Sequence, residues 1–145
     1  MSQTDVTEHF AATPAQVWRV LADGQRYAEW VQGTKQIRHV EPGWPAVGTS
    51  IHFTVGIGPL EHKDRTTVRE CDVERGLELE VHAWPVGTVR VALSIEPEGD
   101  GSRVTLVEHP LRGPAAWLHS ALTAVGFRAR NRVQINDLRR LAEAG

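Results

Sequence analysis

Two carboxyl side chains fall where the predicted strands should point inward. Asp64 and Thr66 lie four and two residues before Val68, so the two-residue period of a strand puts all three on one face. Glu108 continues the apolar phase of Val104 in the same way. An ionisable group on the core side is costly unless it is paired or reaches water. Either carboxyl could therefore hold the polar group of a ligand or accept a proton as a general base.

The C-terminal helix offers partners for these carboxyls. Arg128 and Asn131 lie near the helical phase of Trp117 and Phe127. We therefore predict a ligand site with few polar groups and apolar walls, which is typical of small-molecule pockets. Its predicted residues are Trp30, Phe53, Asp64, Thr66, Glu108, Trp117, Phe127, Arg128 and Asn131. The alternative is that Asp64 and Glu108 lie near strand ends, where a bulge or a flared edge brings them to solvent.

Other chemistries lack their motifs. The seven histidines show no His-x-x-x-His spacing, and the chain has one cysteine, Cys71, so we expect no metal site. His52 and His82 fall on the polar phase of their strands, which predicts the convex surface. No Gly-x-Ser-x-Gly motif is present. We expect no cofactor, and catalytic residues are not identified.

Length and composition predict one domain over residues 1–145. The hydrophobic fraction is 41% and the charged fraction 23%, as in ordinary globular domains. The formal net charge is −2, so the chain has no overall positive potential that would attract nucleic acid, and we expect no nucleic-acid partner. The N-terminus lacks the pattern of a signal peptide, and no stretch approaches the roughly 20 apolar residues of a membrane span. Cys71 cannot form an internal disulfide, which favours a reducing compartment. We expect a cytoplasmic location and no integral membrane segment.

Hydrophobic periodicity predicts an α+β fold. A short strand precedes a helix that begins with the capping box Thr13 to Gln16, and a second short element ends at Trp30. Alternating strands separated by short turns then indicate an antiparallel sheet, and a helical period returns from Pro114. We predict a curved antiparallel sheet of about seven strands around a long C-terminal helix, with two short helices after the first strand.

Several segments resemble one superfamily. They are "ATPAQVWRVLADGQRYAEW" (12–30), Gly48-Thr49 at a strand entrance, "GSRVTLVE" (101–108) and "RNRVQINDLRRLAE" (130–143). Together with the element order, they resemble the START-like helix-grip superfamily (SRPBCC), and most closely its polyketide cyclase/dehydrase and lipid-transport-like branch. The resemblance implies a hydrophobic cavity between the sheet and the C-terminal helix. The superfamily includes lipid carriers, ubiquinone-binding proteins, aromatic cyclases and chaperone activators.

Three functions remain open from the sequence. The first is a non-catalytic carrier or sensor of a small hydrophobic molecule, such as a lipid, a quinone or a polyketide-like aromatic. The second is a polyketide aromatase/cyclase-type enzyme with Glu108 or Asp64 as general base and Arg128 steadying an enolate. Against it, no tyrosine or histidine is expected to point inward, and the only tyrosine is Tyr27. The third is a chaperone-activator-like interaction module with an exposed patch at Trp84, a contact that also leaves a homodimer open.

Overall fold

Seven antiparallel strands form one sheet in the order β1-β7-β6-β5-β4-β3-β2. The structure is a computed structural model that describes residues 5–31, 33–57, 59–83, 87–112 and 121–145. The strands are β1 (Val6–Phe10), β2 (Thr34–Val40), β3 (Ser50–Ile57), β4 (Leu60–Asp72), β5 (Gly76–Ala83), β6 (Gly87–Glu98) and β7 (Gly101–Arg112). The predicted antiparallel sheet of about seven strands is confirmed.

Two short helices follow the first strand, as predicted. Helix α1 spans Pro14–Leu21, and its capping box is complete because Thr13 Oγ1 accepts from Gln16 N while Gln16 Oε1 accepts from Thr13 N. A 3-10 turn, Gly24–Arg26, leads directly into the one-turn helix α2, Tyr27–Trp30. This path brings Trp30 to the inner side of the sheet, where it is buried.

Helix α3 (Ala121–Ala144) lies against β1, β7 and the two short helices. Its buried residues recur at helical spacing: Asn131, Gln134, Ile135, Leu138 and Ala142. The end of the helix is fixed by Glu143, whose carboxylate accepts from Ala11 N at 2.8 Å. The predicted order, with a long C-terminal helix gripped by the sheet, is confirmed. None of the helices in the described part of the chain is long and apolar enough to cross a bilayer.

The inner face of the sheet carries the alternating apolar residues of the strands. The predicted inward phase of Val104, Leu106 and Glu108 is confirmed, since all three are buried. Register pairs Val91 with Glu108, so this carboxyl lies beside a core valine, four residues before the end of β7. The alternative that a bulge or a flared edge brings Glu108 to solvent is therefore wrong, since the residue is buried.

Candidate functional site

A small cavity lies between the inner face of the sheet and helices α2 and α3. Its apolar side is formed by Trp30, Val31, Leu79, Val81, Val89 and Val91. The polar side chains at its boundary are those of Tyr27, Glu108, Arg130 and Gln134. The cavity volume of about 20 Å³ has room for about one water molecule. The space is therefore apolar over most of its boundary and has a compact set of hydrogen-bonding groups.

Glu108 is the most unusual of these groups because its side chain is only 1% exposed. Arg130 Nη1 donates to its Oε1 at 3.0 Å, and Asn131 forms a side-chain hydrogen bond with it. Burial raises the pKa of Glu108, while the charge of Arg130 and the two hydrogen bonds lower it without cancelling the rise. The carboxyl can therefore hold or release a proton closer to neutral pH than an exposed glutamate can.

Arg130 and Gln134 continue this polar chain along α3. The side chain of Arg130 is 30% exposed, so it joins the buried carboxyl to the solvent. Gln134 Nε2 donates to Asn131 Oδ1 at 3.3 Å, which orients the amide that contacts Glu108. Three residues of one helix face thus hold a carboxyl supplied by β7.

Tyr27 supplies a phenol to the same interior. Its ring is 2% exposed, lies edge-on to Trp30 at 5.9 Å and is 5.5 Å from Phe53, measured between ring centres. Its hydroxyl forms a hydrogen bond with the Thr66 hydroxyl, with the oxygens 2.5 Å apart. Burial raises the pKa of Tyr27, so the phenol is neutral at physiological pH. The expectation that no tyrosine points inward was wrong.

The sequence contains a weak signal for this position. Tyr27 and Trp30 are three residues apart, so a single helical turn places both on one face. A four-residue helix has too few positions to establish a hydrophobic period, so the pattern of this segment does not indicate that Tyr27 points inward.

Four predicted site residues come together around Tyr27. Trp30 lines the cavity, Thr66 bonds the phenol, and Glu108 and Asn131 bond each other, all four being buried. Phe53 packs on Tyr27 behind them. That these residues bind a ligand stays a prediction.

The arginine assignment requires a correction. Arg128 is exposed, and the guanidinium that contacts Glu108 belongs to Arg130. The prediction took its helical phase from Trp117 and Phe127, whereas the buried face of α3 includes Asn131 and Gln134. Arg130 lies one turn before Gln134 on that face.

Asp64 lies away from the cavity. Its side chain is 12% exposed, and its Oδ2 lies 4.0 Å from His62 Nε2. Register pairs Asp64 with the buried Phe53, so Asp64 lies on the inner phase of β4, as predicted. Three other predicted side chains cannot be placed, because Trp84 and Trp117 lie outside the described residues and so does the side chain of Phe127.

Histidine and acidic side chains do not form a metal site in the described ranges: no group of three or more His, Cys, Asp or Glu residues is close enough to hold an ion. His52 and His82 lie on the convex face, as their polar phase predicted.

Comparison with protein families gives a match over nearly the whole chain. The sequence profile of the polyketide cyclase/dehydrase and lipid transport family matches residues 1–143. The chain belongs to this family. Comparison with curated protein sequences finds no significant match.

Solved structures share the helix-grip fold at low sequence identity. Protein NE0264 from Nitrosomonas europaea is 18% identical, with a TM-score of 0.73 over 99% of this chain and 97% of that one. Ara h 8.0201 is 12% identical, with a TM-score of 0.71 over 97% of both chains. DynU16, encoded in the dynemicin biosynthetic locus, is 17% identical with a TM-score of 0.68, over 94% of this chain and 45% of that chain. At these identities the likeness establishes the fold.

Proposed function

We propose that this protein binds a small hydrophobic molecule between the sheet and α3, as a carrier or sensor. The observation that carries the proposal is the cavity itself, in which six apolar side chains face a cluster of four polar side chains. Small-ligand sites combine apolar walls with a few placed polar groups in this way. The family of the chain, which includes lipid transport, supports the same function.

The polar side chains limit what the ligand carries. Arg130 can donate, Tyr27 can donate or accept, and the protonation state of Glu108 decides whether it donates. A carbonyl or hydroxyl oxygen at one end of an apolar body matches this set. Lipids, quinones and polyketide-like aromatics have such a group, and a pure hydrocarbon would leave the buried polar groups without a ligand contact.

Binding requires the cavity to enlarge. Its volume is about 20 Å³, whereas ligand pockets usually measure roughly 300–1,000 Å³. Trp30 and Tyr27 occupy the space between sheet and helix, so a ligand must displace their rings or separate α2 from the sheet. A ligand that binds only the folded state should then raise the melting temperature as its concentration rises.

A neutral fluorescent probe tests the proposal. N-phenyl-1-naphthylamine should bind the wild type saturably, and Val91→Phe should weaken binding about tenfold or more because it fills the space beside Glu108. Ala92→Phe is the matched control, since the next residue on β6 points to the opposite face. Equal binding by the two variants, with both folded by circular dichroism, would contradict the proposal.

Two further observations separate binding from core filling. Native mass spectrometry of the purified protein should detect a co-purified hydrophobic mass if the protein acts as a carrier. Trp30→Ala removes a side chain that lines the cavity and also fills the core. If it lowers stability and leaves probe affinity unchanged, Trp30 belongs to the core alone.

A second candidate function is a cyclase/dehydrase-type enzyme. It is favoured by the buried carboxyl beside a guanidinium and a neutral phenol. In such a reaction Glu108 would take the proton from a carbon next to a carbonyl. The electron pair of the broken C–H bond would form the C=C bond of the enolate, and the π pair of the carbonyl would move to its oxygen, where Arg130 would stabilise the negative charge.

Proton exchange distinguishes the two candidates. The enzyme candidate predicts that the protein accelerates exchange of the α-hydrogens of α-tetralone in D₂O, and that Glu108→Gln abolishes the acceleration. The fold should survive because glutamine keeps the shape of the side chain. Saturable binding of the ketone without faster exchange would leave the carrier or sensor as the function.

A further inference from the structure

The convex face of the sheet carries a second cluster, separate from the cavity. A shallow depression of about 260 Å³ is lined by Arg38, His52, Lys63, Asp64, Arg65 and His82. We call its cationic and imidazole members the convex basic cluster. Register brings them together across four strands, since His52 lies opposite Arg65 and the pairing of Thr66 with Val81 places His82 on the other side of Arg65.

Among the described residues, the arginine and lysine side chains of this cluster form no ion pair, whereas His52 has an acidic neighbour. Elsewhere on the sheet, cations pair with carboxylates in Arg69–Glu80, Arg90–Glu78 and Arg103–Glu96. Lys63 and Arg65 have no carboxylate within ion-pair distance in the described part of the chain. A surface arranged only for solubility would intersperse the two signs of charge.

Arg38 is held in place without being neutralised. Its Nε and Nη2 donate to the Phe53 carbonyl at 3.2 and 3.1 Å, and Nη2 also lies 3.3 Å from the Asp64 carbonyl. These carbonyls fix the guanidinium plane and carry no net charge. A fixed guanidinium loses less side-chain entropy when it binds an anion. The carboxyl of Asp64 lies on the other side of the sheet, in phase with Thr66.

One carboxylate lies at the edge of the cluster. Glu41 Oε2 is 2.7 Å from His52 Nε2, and hydrogen bonds from His52 and Ser50 N lower the pKa of Glu41. His39 stacks on the His52 ring, with the ring centres 5.9 Å apart. Glu41 thus orients His52, and its single negative charge is smaller than the three positive charges of Arg38, Lys63 and Arg65.

We propose that the convex basic cluster binds an oxyanion with two or more negative charges, of the phosphate or pyrophosphate type. Three cations lie around one depression, and backbone carbonyls hold one of them, Arg38, in place. Such a set matches an oxyanion, because guanidinium and ammonium donors form strong hydrogen bonds with phosphate oxygens. The site is on the opposite face of the sheet from the cavity. It does not depend on what the cavity binds.

Calorimetric titration with inorganic pyrophosphate tests this site. The wild type should show one saturable site whose affinity falls as salt rises from about 20 to about 200 mM, since screening weakens exposed charges. Arg65→Gln should lower the affinity about tenfold, and Lys63→Gln should act in the same direction. Arg19→Gln is the matched control, because Arg19 is an exposed arginine on α1 that forms no ion pair with the described residues.

The same anion can be a soluble metabolite or a lipid headgroup. Co-sedimentation with phosphatidylcholine vesicles containing phosphatidic acid measures the headgroup source, and pyrophosphate measures the soluble source. Binding in either arm that Arg65→Gln weakens and Arg19→Gln leaves within about twofold supports the site. Absence of binding in both arms, or equal losses in the two variants, would overturn it.

Discussion

The contact between Glu108 and Arg130 gives the sharpest stability prediction. Arg130→Gln removes the cation that lies 3.0 Å from a carboxyl oxygen that is almost fully buried. Removing one partner of a buried ion pair costs about 3–5 kcal/mol when both groups are buried. Because the Arg130 side chain is 30% exposed, we expect a smaller loss, about 2–3 kcal/mol at pH 8.

The loss should depend on pH in a defined direction. The pKa of Glu108 is raised in the folded protein, so the folded state binds more protons and stability falls as pH rises from the unfolded pKa to the folded one. Arg130 lowers that pKa, and its removal extends the fall to higher pH. The carboxyl of the variant is therefore protonated to a greater extent at pH 5 than at pH 8. The deficit should then shrink to about 1 kcal/mol, the value of a lost hydrogen bond.

Urea unfolding followed by tryptophan fluorescence measures both values, with an unchanged denaturant slope showing that the unfolding reaction is the same. The double variant Glu108→Gln/Arg130→Gln is the control. Because it lacks the carboxylate, its loss of unfolding free energy should not grow as pH rises. A double-mutant cycle of Glu108→Gln, Arg130→Gln and the double variant should give an interaction free energy between the two side chains of at least about 1 kcal/mol at pH 8. Equal deficits of Arg130→Gln at pH 5 and pH 8, or additive effects, would refute the buried ion pair.

Three further predictions concern stability, each measured by chemical or thermal unfolding. Tyr27→Phe should cost about 1–2 kcal/mol because it leaves the buried Thr66 hydroxyl without its partner, and adding Thr66→Val should recover part of the loss. If the double variant loses as much stability as the two single variants added together, this hydrogen bond is contradicted. Thr13→Ala should cost about 1 kcal/mol and Thr13→Ser almost nothing, since serine keeps the cap; equal losses would mean that the hydroxyl does not cap the helix. Gly101→Ala should cost about 3 kcal/mol or more, because a Cβ there would lie 2.0 Å from the Phe10 carbonyl oxygen. Asp100→Ala is the control and should be tolerated. A stable Gly101→Ala variant would show that β1 and β7 can move apart at this point.

The inner face of the sheet could be predicted because a strand has a strict two-residue period. Once Val104 and Leu106 are inside, Glu108 must follow unless a bulge intervenes, and the β6–β7 pairing has its register shift farther on, between Thr88 and Val89. The capping box was equally predictable, because it needs only residues three positions apart.

The partner of Glu108 was harder to predict because a helix has no exact alternation. The inward face of a helix is assigned from one residue taken as buried, and a wrong choice shifts the predicted face along the whole of α3. The sequence prediction starts from Trp117 and Phe127, and it therefore names Arg128 in place of Arg130. The hairpin after β6 shows a similar shift. The sequence there contains Asp100-Gly101, a pair typical of a two-residue hairpin turn. Glu98 pairs with Gly101, however, so the turn residues are Gly99 and Asp100, with Gly99 at φ 59°.

The size of the cavity has no counterpart in a sequence pattern. It depends on how far the rings of Tyr27 and Trp30 extend between the sheet and α3, and therefore on the path of a 3-10 turn. Burial of these rings follows from their hydrophobicity, but their distance from Val89 and Val91 depends on tertiary packing.

Ligand binding inside the sheet is tested most directly by nuclear Overhauser effects between N-phenyl-1-naphthylamine and methyl-labelled protein. We predict contacts from the probe to the methyl groups of Leu79, Val89 and Val91, and to the Trp30 indole. Contacts confined to convex-face residues such as Ala92 and Val107, or none at saturating probe, would contradict a ligand site between the sheet and α3.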